Sequence, residues 1–314
     1  MTSQFNDQGR LRHLLSLENF TREQIVSLLD RAESFLRAPG EPPARSVALA
    51  GRSVAILFFE PSTRTRASFE LAAKRLGADV LGLDVRTSSR AKGESLLDTI
   101  YTLQAMQCDI FVVRDAQSGI PDYIVDHIAP HVRVLNAGES FLNHPTQGLL
   151  DVMTIRHHKP DFTTLTVTIV GDIEHSRVAR SAAHALRALG VGELRLVAPE
   201  HLMPKTSDFG GARLLTDVEE GLRDADVVMA LRIQRERMAG STAPAADNYY
   251  QRFGLSQERL ALARPDAIVM HPGPMNRNVE IAPEVADGPQ SVIEEQVTCG
   301  VAIRMAVMEA VSID

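Results

Sequence analysis

The chain has 314 residues, 44% of them hydrophobic, with 33 basic residues against 40 acidic ones and a formal net charge of −7. That length and apolar content suit two globular domains with sizeable cores and exclude a disordered chain. The acidic balance gives no electrostatic case for nucleic acid or an anionic membrane surface, so any anion site has to be local.

The opening Met1-Thr2-Ser3-Gln4-Phe5 lacks the basic and apolar regions of a signal peptide, and the cytoplasm is the expected location. No apolar stretch approaches the roughly 20 residues needed to span a bilayer, so no membrane role is expected. Thr21 with Gln24 forms a capping-box pattern, Phe20 and Ile25 suit a hydrophobic staple, and apolar residues recur through Leu36, which predicts a first helix. Pro39-Gly40-Glu41-Pro42-Pro43 breaks it.

Strand-like runs follow at 53–59, 79–83, 109–113 and 132–135, and again at 165–170, 193–197, 226–231 and 267–270, with helical patterns such as 67–76 and 176–189 between them. This βαβ alternation predicts an α/β protein of two doubly wound parallel-sheet domains, with an active-site cleft between them. A long apolar helix, roughly 290–312, closes the chain and is expected to pack back on the first domain. In open parallel sheets the ligand lies beyond the carboxyl ends of the strands. Arg114, Asp172, Arg232 and His271 all follow such runs.

The densest motif is Pro61-Ser62-Thr63-Arg64-Thr65-Arg66, placed between a buried strand and a helix. A helix N-terminus offers unpaired N–H groups and the positive end of its dipole; hydroxyls add donors and guanidinium adds bidentate recognition, so phosphate is the expected guest. The plainer alternative is that Ser62 or Thr63 caps the helix while the arginines lie solvated.

Thr87-Ser88-Ser89-Arg90-Ala91-Lys92-Gly93-Glu94-Ser95 reads, taken alone, as a solvated polar loop. His144-Pro145-Thr146-Gln147 leads into a helical run, where the dipole disfavours an imidazolium, so a neutral His144 could donate to a carbonyl oxygen without protonating it. The turn after Val170-Gly171-Asp172 lacks the later glycines of a dinucleotide fingerprint, so no nicotinamide cofactor is expected. Arg177, Arg232 and Gln234 suit a carboxylate site, although an exposed charged loop fits the local segment equally well. His271-Pro272-Gly273-Pro274 is a rigid turn in which Pro274 pushes Gly273 towards extended backbone and which could present a carbonyl to an amine. Cys108 and Cys299 lie far apart without metal-ligand spacing, and no histidine pair has zinc spacing, so no metal and no cofactor are expected.

Together, Ser62-Thr63-Arg64-Thr65-Arg66, His144-Pro145-Thr146-Gln147, Arg232-Ile233-Gln234 and His271-Pro272-Gly273-Pro274 resemble the aspartate carbamoyltransferase catalytic-chain family over nearly the whole sequence. The sister ornithine carbamoyltransferases typically carry His-Pro-Cys-Gln, His-Cys-Leu-Pro and a Ser-Met-Gly loop, where this chain has Thr146, Pro272 and the Arg232–Gln234 stretch. Two cationic anchors suit a dicarboxylate and repel a cationic side chain.

The resemblance implies transfer of the carbamoyl group of carbamoyl phosphate to the α-amine of L-aspartate, a step of pyrimidine biosynthesis. It implies a carbamoyl-phosphate domain at 1–147, completed by the helix at about 291–314, and an aspartate domain at 148–290. Arg64, Thr65, Arg114 and His144 would act in catalysis. Ser62, Thr63, Gln147, Ser88 and Lys92 join them in holding carbamoyl phosphate, and Lys92, Arg177, Arg232, Gln234, Pro272 and Gly273 face aspartate. Ser88 and Lys92 would come from the neighbouring subunit of a homotrimer, with a dihydroorotase or regulatory chains as further partners. Ser89-Arg90-Ala91 departs from the lysines and glycines that some relatives carry there, which bears on the reach of that loop. Arg66 is assigned to loop support and subunit contact. The alternatives are a transcarbamoylase for another amine such as ornithine, and a catalytically inactive scaffold.

Overall fold

A computed structural model describes residues 4–38, 40–83, 95–204, 209–233 and 246–313, the side chains of 246 and 247 excepted. The chain divides into two compact units, residues 1–18, 23–149 and 298–314 in the first and residues 19–22 and 150–297 in the second.

Helix α1 (Arg22–Glu33) opens the regular structure, followed by β1 (Ser53–Phe58), α2 (Thr63–Arg75), β2 (Asp79–Leu83), α3 (Leu96–Ala105), β3 (Ile110–Asp115), α4 (Ile120–Val125), β4 (Arg133–Glu139) and α5 (Pro145–His158). The strands form one parallel sheet in the order β2-β1-β3-β4. The central strands β1 and β3 are buried almost throughout, as near-continuous apolar runs covered on both faces must be, whereas β2 is partly exposed at the edge. Helix α2 buries Thr65, Phe69, Ala72 and Ala73, one face at helical spacing. Ser95 caps α3 by accepting from the Asp98 N–H, while Asp98 reaches back in a capping box. Ala55, Leu57, Ile100, Leu103, Phe111, Val113, Ile124 and Val134 pack into one core.

The second unit continues with β5 (Thr166–Val170), α6 (Arg177–Ala188), β6 (Glu193–Val197), β7 (Arg213–Leu215), α7 (Val218–Leu222), β8 (Val227–Ala230), α8 (Ala246–Phe253), α9 (Gln257–Leu260), β9 (Ile268–Met270), α10 (Pro283–Ala286) and α11 (Ile293–Ala310). Its sheet is parallel, in the order β7-β6-β5-β8-β9. Helix α6 buries Ala179, Ala182, Ala183, Ala185 and Leu186. The greater part of α11 belongs to the first unit, where the Arg304 guanidinium lies 5.0 Å from the Phe69 ring and Arg31 pairs with Glu309. No described helix is long and apolar enough to cross a membrane.

All eight expected strands are present, and the two parallel sheets are those of the expected α/β class. Three local expectations need correction. Strand β7 has no counterpart among them, because two of its three residues are exposed and no apolar run marks it. Strands β3 and β4 run beyond their apolar stretches into Arg114-Asp115 and Asn136 to Glu139, whose polar side chains are buried in the fold. Helix α2 starts at Thr63, so most of the hydroxyl and arginine motif is its first turn.

His13 carries a stability consequence. It is buried, and its Nδ1 accepts from the Val134 N–H at 3.0 Å. Burial, with the charges of Arg12 and Arg133, lowers its pKa from 6.5 to about 4. Below pH 6.5 the unfolded chain takes up a proton that the folded chain refuses, so folded stability should drop by about 3 kcal/mol as pH falls from 6.5 to 4. Asparagine keeps an acceptor near Nδ1 but does not titrate. Urea unfolding of wild type and His13→Asn across this range should therefore show a shallower pH slope in the variant; equal slopes would refute the assignment.

Candidate active site

In the first unit the site is built at the carboxyl ends of β1, β3 and β4. Ser62 occupies the N-cap position of α2 with extended backbone (φ −163°, ψ 93°), yet its side chain makes no capping bond. Capping therefore does not account for its hydroxyl. Thr63 and Arg64 are exposed, Thr65 is buried, and the first turn of α2 holds no acidic residue. Cations at a helix N-terminus oppose the dipole by a few tenths of a kcal/mol to about 1 kcal/mol each, a cost that an anion at the same place would reverse. Arg66 behaves differently. Its Nε donates to Glu70 Oε1 at 3.0 Å, and its guanidinium lies so close to β2 that a Cβ on Gly82 would sit 2.7 Å from Nη2.

Arg114 lies within β3, in register with Phe58 of β1. Its side chain is buried: Nη2 pairs with Glu60 Oε1 at 2.6 Å, and Nη1 donates to the Ala137 carbonyl at 3.1 Å. One carboxylate beyond β1 and one carbonyl of β4 thus fix the guanidinium at the strand ends. Nearby, Glu139 accepts from the Gly119 N–H and from Asn136 Nδ2; burial pushes its carboxyl above the usual range, against those hydrogen bonds. His144 is buried immediately before α5, and its carbonyl accepts from the N–H groups of Gln147 and Gly148 at 2.9 and 3.2 Å. Gln147 is also buried, and the Thr146 hydroxyl is buried with no hydrogen-bond partner among the described residues.

In the second unit, β5 is followed by Gly171, with φ +145°, where a Cβ would lie 2.7 Å from the Leu231 carbonyl oxygen. Only glycine lets the ends of β5 and β8 approach this closely. Asp172, fully buried, accepts from the His175 N–H at 3.2 Å and holds its ring Nδ1 at 2.9 Å. Ser176 caps α6 by accepting from the Ala179 N–H, which places Arg177 as the first helical residue, buried and again with no acid in the turn. Arg232 follows β8 and is half-buried, so neither arginine is a fully exposed surface charge.

Beyond β9, His271 is buried and receives Gly273 N–H on its Nδ1 at 2.8 Å. Gly273 has φ +64°, a left-handed conformation in place of the expected extended one; the missing Cβ makes this accessible despite the following Pro274. Pro272 and Gly273 are both partly exposed. Elsewhere in this unit, one carboxylate, that of Glu295, is contacted at 2.6 Å by His157 Nδ1 and at 2.7 Å by His158 Nε2.

The structure thus brings Ser62 to Thr65, Arg114, His144 and Gln147 to one edge of the first sheet, and Arg177, Arg232, Pro272 and Gly273 to the corresponding edge of the second. Ser88, Lys92 and Gln234 lie outside the described residues. Glu60 and Glu280, which contact Arg114 and His271, have no local signal in the sequence, since neither stands in a motif and each is recognised only by its partner.

The sequence matches two family models: "Aspartate/ornithine carbamoyltransferase, carbamoyl-P binding domain" over residues 12–157 and "Aspartate/ornithine carbamoyltransferase, Asp/Orn binding domain" over residues 163–311. Among solved structures, the chain is similar to aspartate transcarbamoylase from Trypanosoma cruzi in complex with carbamoyl aspartate and phosphate, at 30% identity and a TM-score of 0.86 over 95% of each chain. The same enzyme in complex with N-(phosphonacetyl)-L-aspartic acid matches at 29% identity and a TM-score of 0.83, again over 95% of each. Ornithine carbamoyltransferase from Thermus thermophilus shares the fold, with 24% identity, a TM-score of 0.84 and coverage of 96% of this chain and 99% of that one.

Proposed function

The chain belongs to the aspartate/ornithine carbamoyltransferase family, and from that premise we propose that it carries the carbamoyl group of carbamoyl phosphate to the α-amine of L-aspartate. The products are N-carbamoyl-L-aspartate and phosphate, a step of pyrimidine biosynthesis, and the enzyme works in the cytoplasm. The first unit binds carbamoyl phosphate and the second binds aspartate.

Ser62, Thr63, Arg64, Thr65 and Arg114 hold the phosphate, and Arg64 neutralises charge on it as it leaves. The amine attacks the carbonyl carbon, a C–N bond forms, and negative charge gathers on the carbonyl oxygen. Thr65, Arg114 and His144 stabilise that charge as donors set in place beforehand. Collapse of the tetrahedral intermediate breaks the C–O bond to phosphate, and the amine gives up its proton to the departing phosphate. Gln147 takes the carbamoyl NH₂, near the carbonyls of Pro272 and Gly273. Arg177, Arg232 and Gln234 bind the aspartate carboxylates. Ser88 and Lys92 serve the neighbouring subunit's site in a homotrimer, with dihydroorotase or regulatory chains as additional partners.

The observation that carries the phosphate half is the buried Arg114, fixed by Glu60, together with a first turn of α2 that holds the exposed Arg64 and no acid. For the amine, the buried Arg177 and half-buried Arg232 favour a dicarboxylate, and the similar Trypanosoma cruzi enzyme is described with aspartate and carbamoyl aspartate. A competition assay tests the choice. Supplied with carbamoyl phosphate and equal aspartate and ornithine, the purified chain should form carbamoyl-aspartate and no detectable carbamoyl-ornithine. The reverse product would overturn the choice of amine, and no product together with no binding of N-(phosphonacetyl)-L-aspartate would favour the scaffold.

A further inference from the structure

The turn after β9 is held by a residue that the reaction scheme does not use, and its proposed role rests on the reading above, in which the Pro272 and Gly273 carbonyls face the substrates. His271 and Glu280 are both almost completely buried, with side-chain exposures of 0% and 1%, and His271 Nε2 lies 3.2 Å from Glu280 Oε1. On the other side of the ring, Gly273 N–H donates to Nδ1 at 2.8 Å, so Nδ1 carries no proton and the imidazole proton sits on Nε2, facing Glu280. The same Oε1 accepts from the Asn276 N–H at 2.5 Å, so one carboxylate oxygen ties both ends of the segment from His271 to Asn276. The His271 backbone is fixed independently: its N–H donates to Gln296 Oε1 at 2.9 Å, and Gln296 in turn donates to Asp151 Oδ1 at 2.8 Å.

What remains to be set is the aim of the ring, and the ring decides Gly273. Glycine is the residue with the most backbone freedom, and here it sits at φ +64° inside the turn. A buried imidazole and carboxylate are costly to desolvate, and an apolar pair of similar volume is often as stable or more so. The polar pair does what an apolar pair could not, which is to select one tautomer.

We propose that Glu280 is the positioning residue of this turn: by accepting the Nε2 proton of His271 it commits Nδ1 to the Gly273 N–H, and thereby sets the direction of the Pro272 and Gly273 carbonyls. Glu280 touches no substrate and acts through His271.

The test compares wild type, Glu280→Ala and Glu280→Gln in the full chain, with kinetics per folded chain and ¹⁵N NMR of the His271 ring. Glutamine keeps an acceptor for Nε2–H. Glu280→Ala should lower kcat/KM for carbamoyl phosphate by up to about 100-fold, with kcat falling and KM rising together. Glu280→Gln should recover most of that loss. The ring should read as the Nε2–H tautomer in wild type and Glu280→Gln, and as a mixture in Glu280→Ala. Wild-type kinetics in the alanine variant, equal damage from glutamine and alanine, or a tautomer indifferent to residue 280 would overturn the proposal. If Glu280→Ala does not fold, the glutamine variant decides, and a wild-type ring protonated on Nδ1 refutes it outright. If wild type transfers no carbamoyl group, the functional reading fails by itself, and the tautomer measurement still decides the role of Glu280.

Discussion

Arg64→Ala is expected to lower turnover by on the order of 10³-fold while leaving folded stability within about 0.5 kcal/mol of wild type. The two halves of this result have separate causes. Arg64 is exposed and lies in the first turn of α2, so no core packing depends on it. Alanine is a better helix former, and removing a cation from a helix N-terminus relieves an unfavourable interaction with the dipole. A loss of activity therefore cannot be assigned to unfolding. In the proposed reaction the leaving phosphate gains charge as the C–O bond breaks, and the guanidinium that meets it strengthens its hold at that moment. Steady-state kinetics with carbamoyl phosphate and aspartate, beside a thermal melt, measure both quantities. Near wild-type turnover in a folded variant would remove Arg64 from the leaving-group role.

His144→Ala should cut kcat by about 10²- to 10³-fold, the usual cost of removing one oxyanion donor, with a much smaller change in the affinity for carbamoyl phosphate. His144 immediately precedes α5, and in the proposed reaction its ring donates to the carbonyl oxygen, a bond that strengthens as negative charge develops there. Its backbone carbonyl, which accepts from the Gln147 and Gly148 N–H groups, survives the substitution, so the start of the helix is retained. Calorimetric titration with carbamoyl phosphate, set against single-turnover rates, separates the two effects. Equal losses in binding and turnover would make His144 a ground-state ligand and nothing more.

Much of the architecture is legible in the sequence. Uninterrupted apolar runs such as Val54 to Phe58 predict parallel strands covered on both faces, and they are buried throughout. Errors fell where the local signal is polar or short. Strand β7 is three residues with one buried, and the polar ends of β3 and β4 look like loop because a sequence does not say that Arg114 will meet Glu60. Gly273 was expected to be extended on account of Pro274, but the bond from its N–H to His271 accompanies a left-handed backbone instead.

By itself the sequence determined the alternation of strands and helices and the residues that resemble a known family, because periodicity, turn chemistry and motif spacing are local properties of a chain. Tertiary structure alone decided the environment of each charge. It buried Arg114 between Glu60 and the Ala137 carbonyl, left the Ser62 hydroxyl out of the cap, paired Arg66 with Glu70 and enclosed His271 with Glu280. Desolvation and pairing depend on groups brought together from distant parts of the chain, and they determine whether a basic or acidic side chain is solvated surface, a structural tie or a candidate for chemistry.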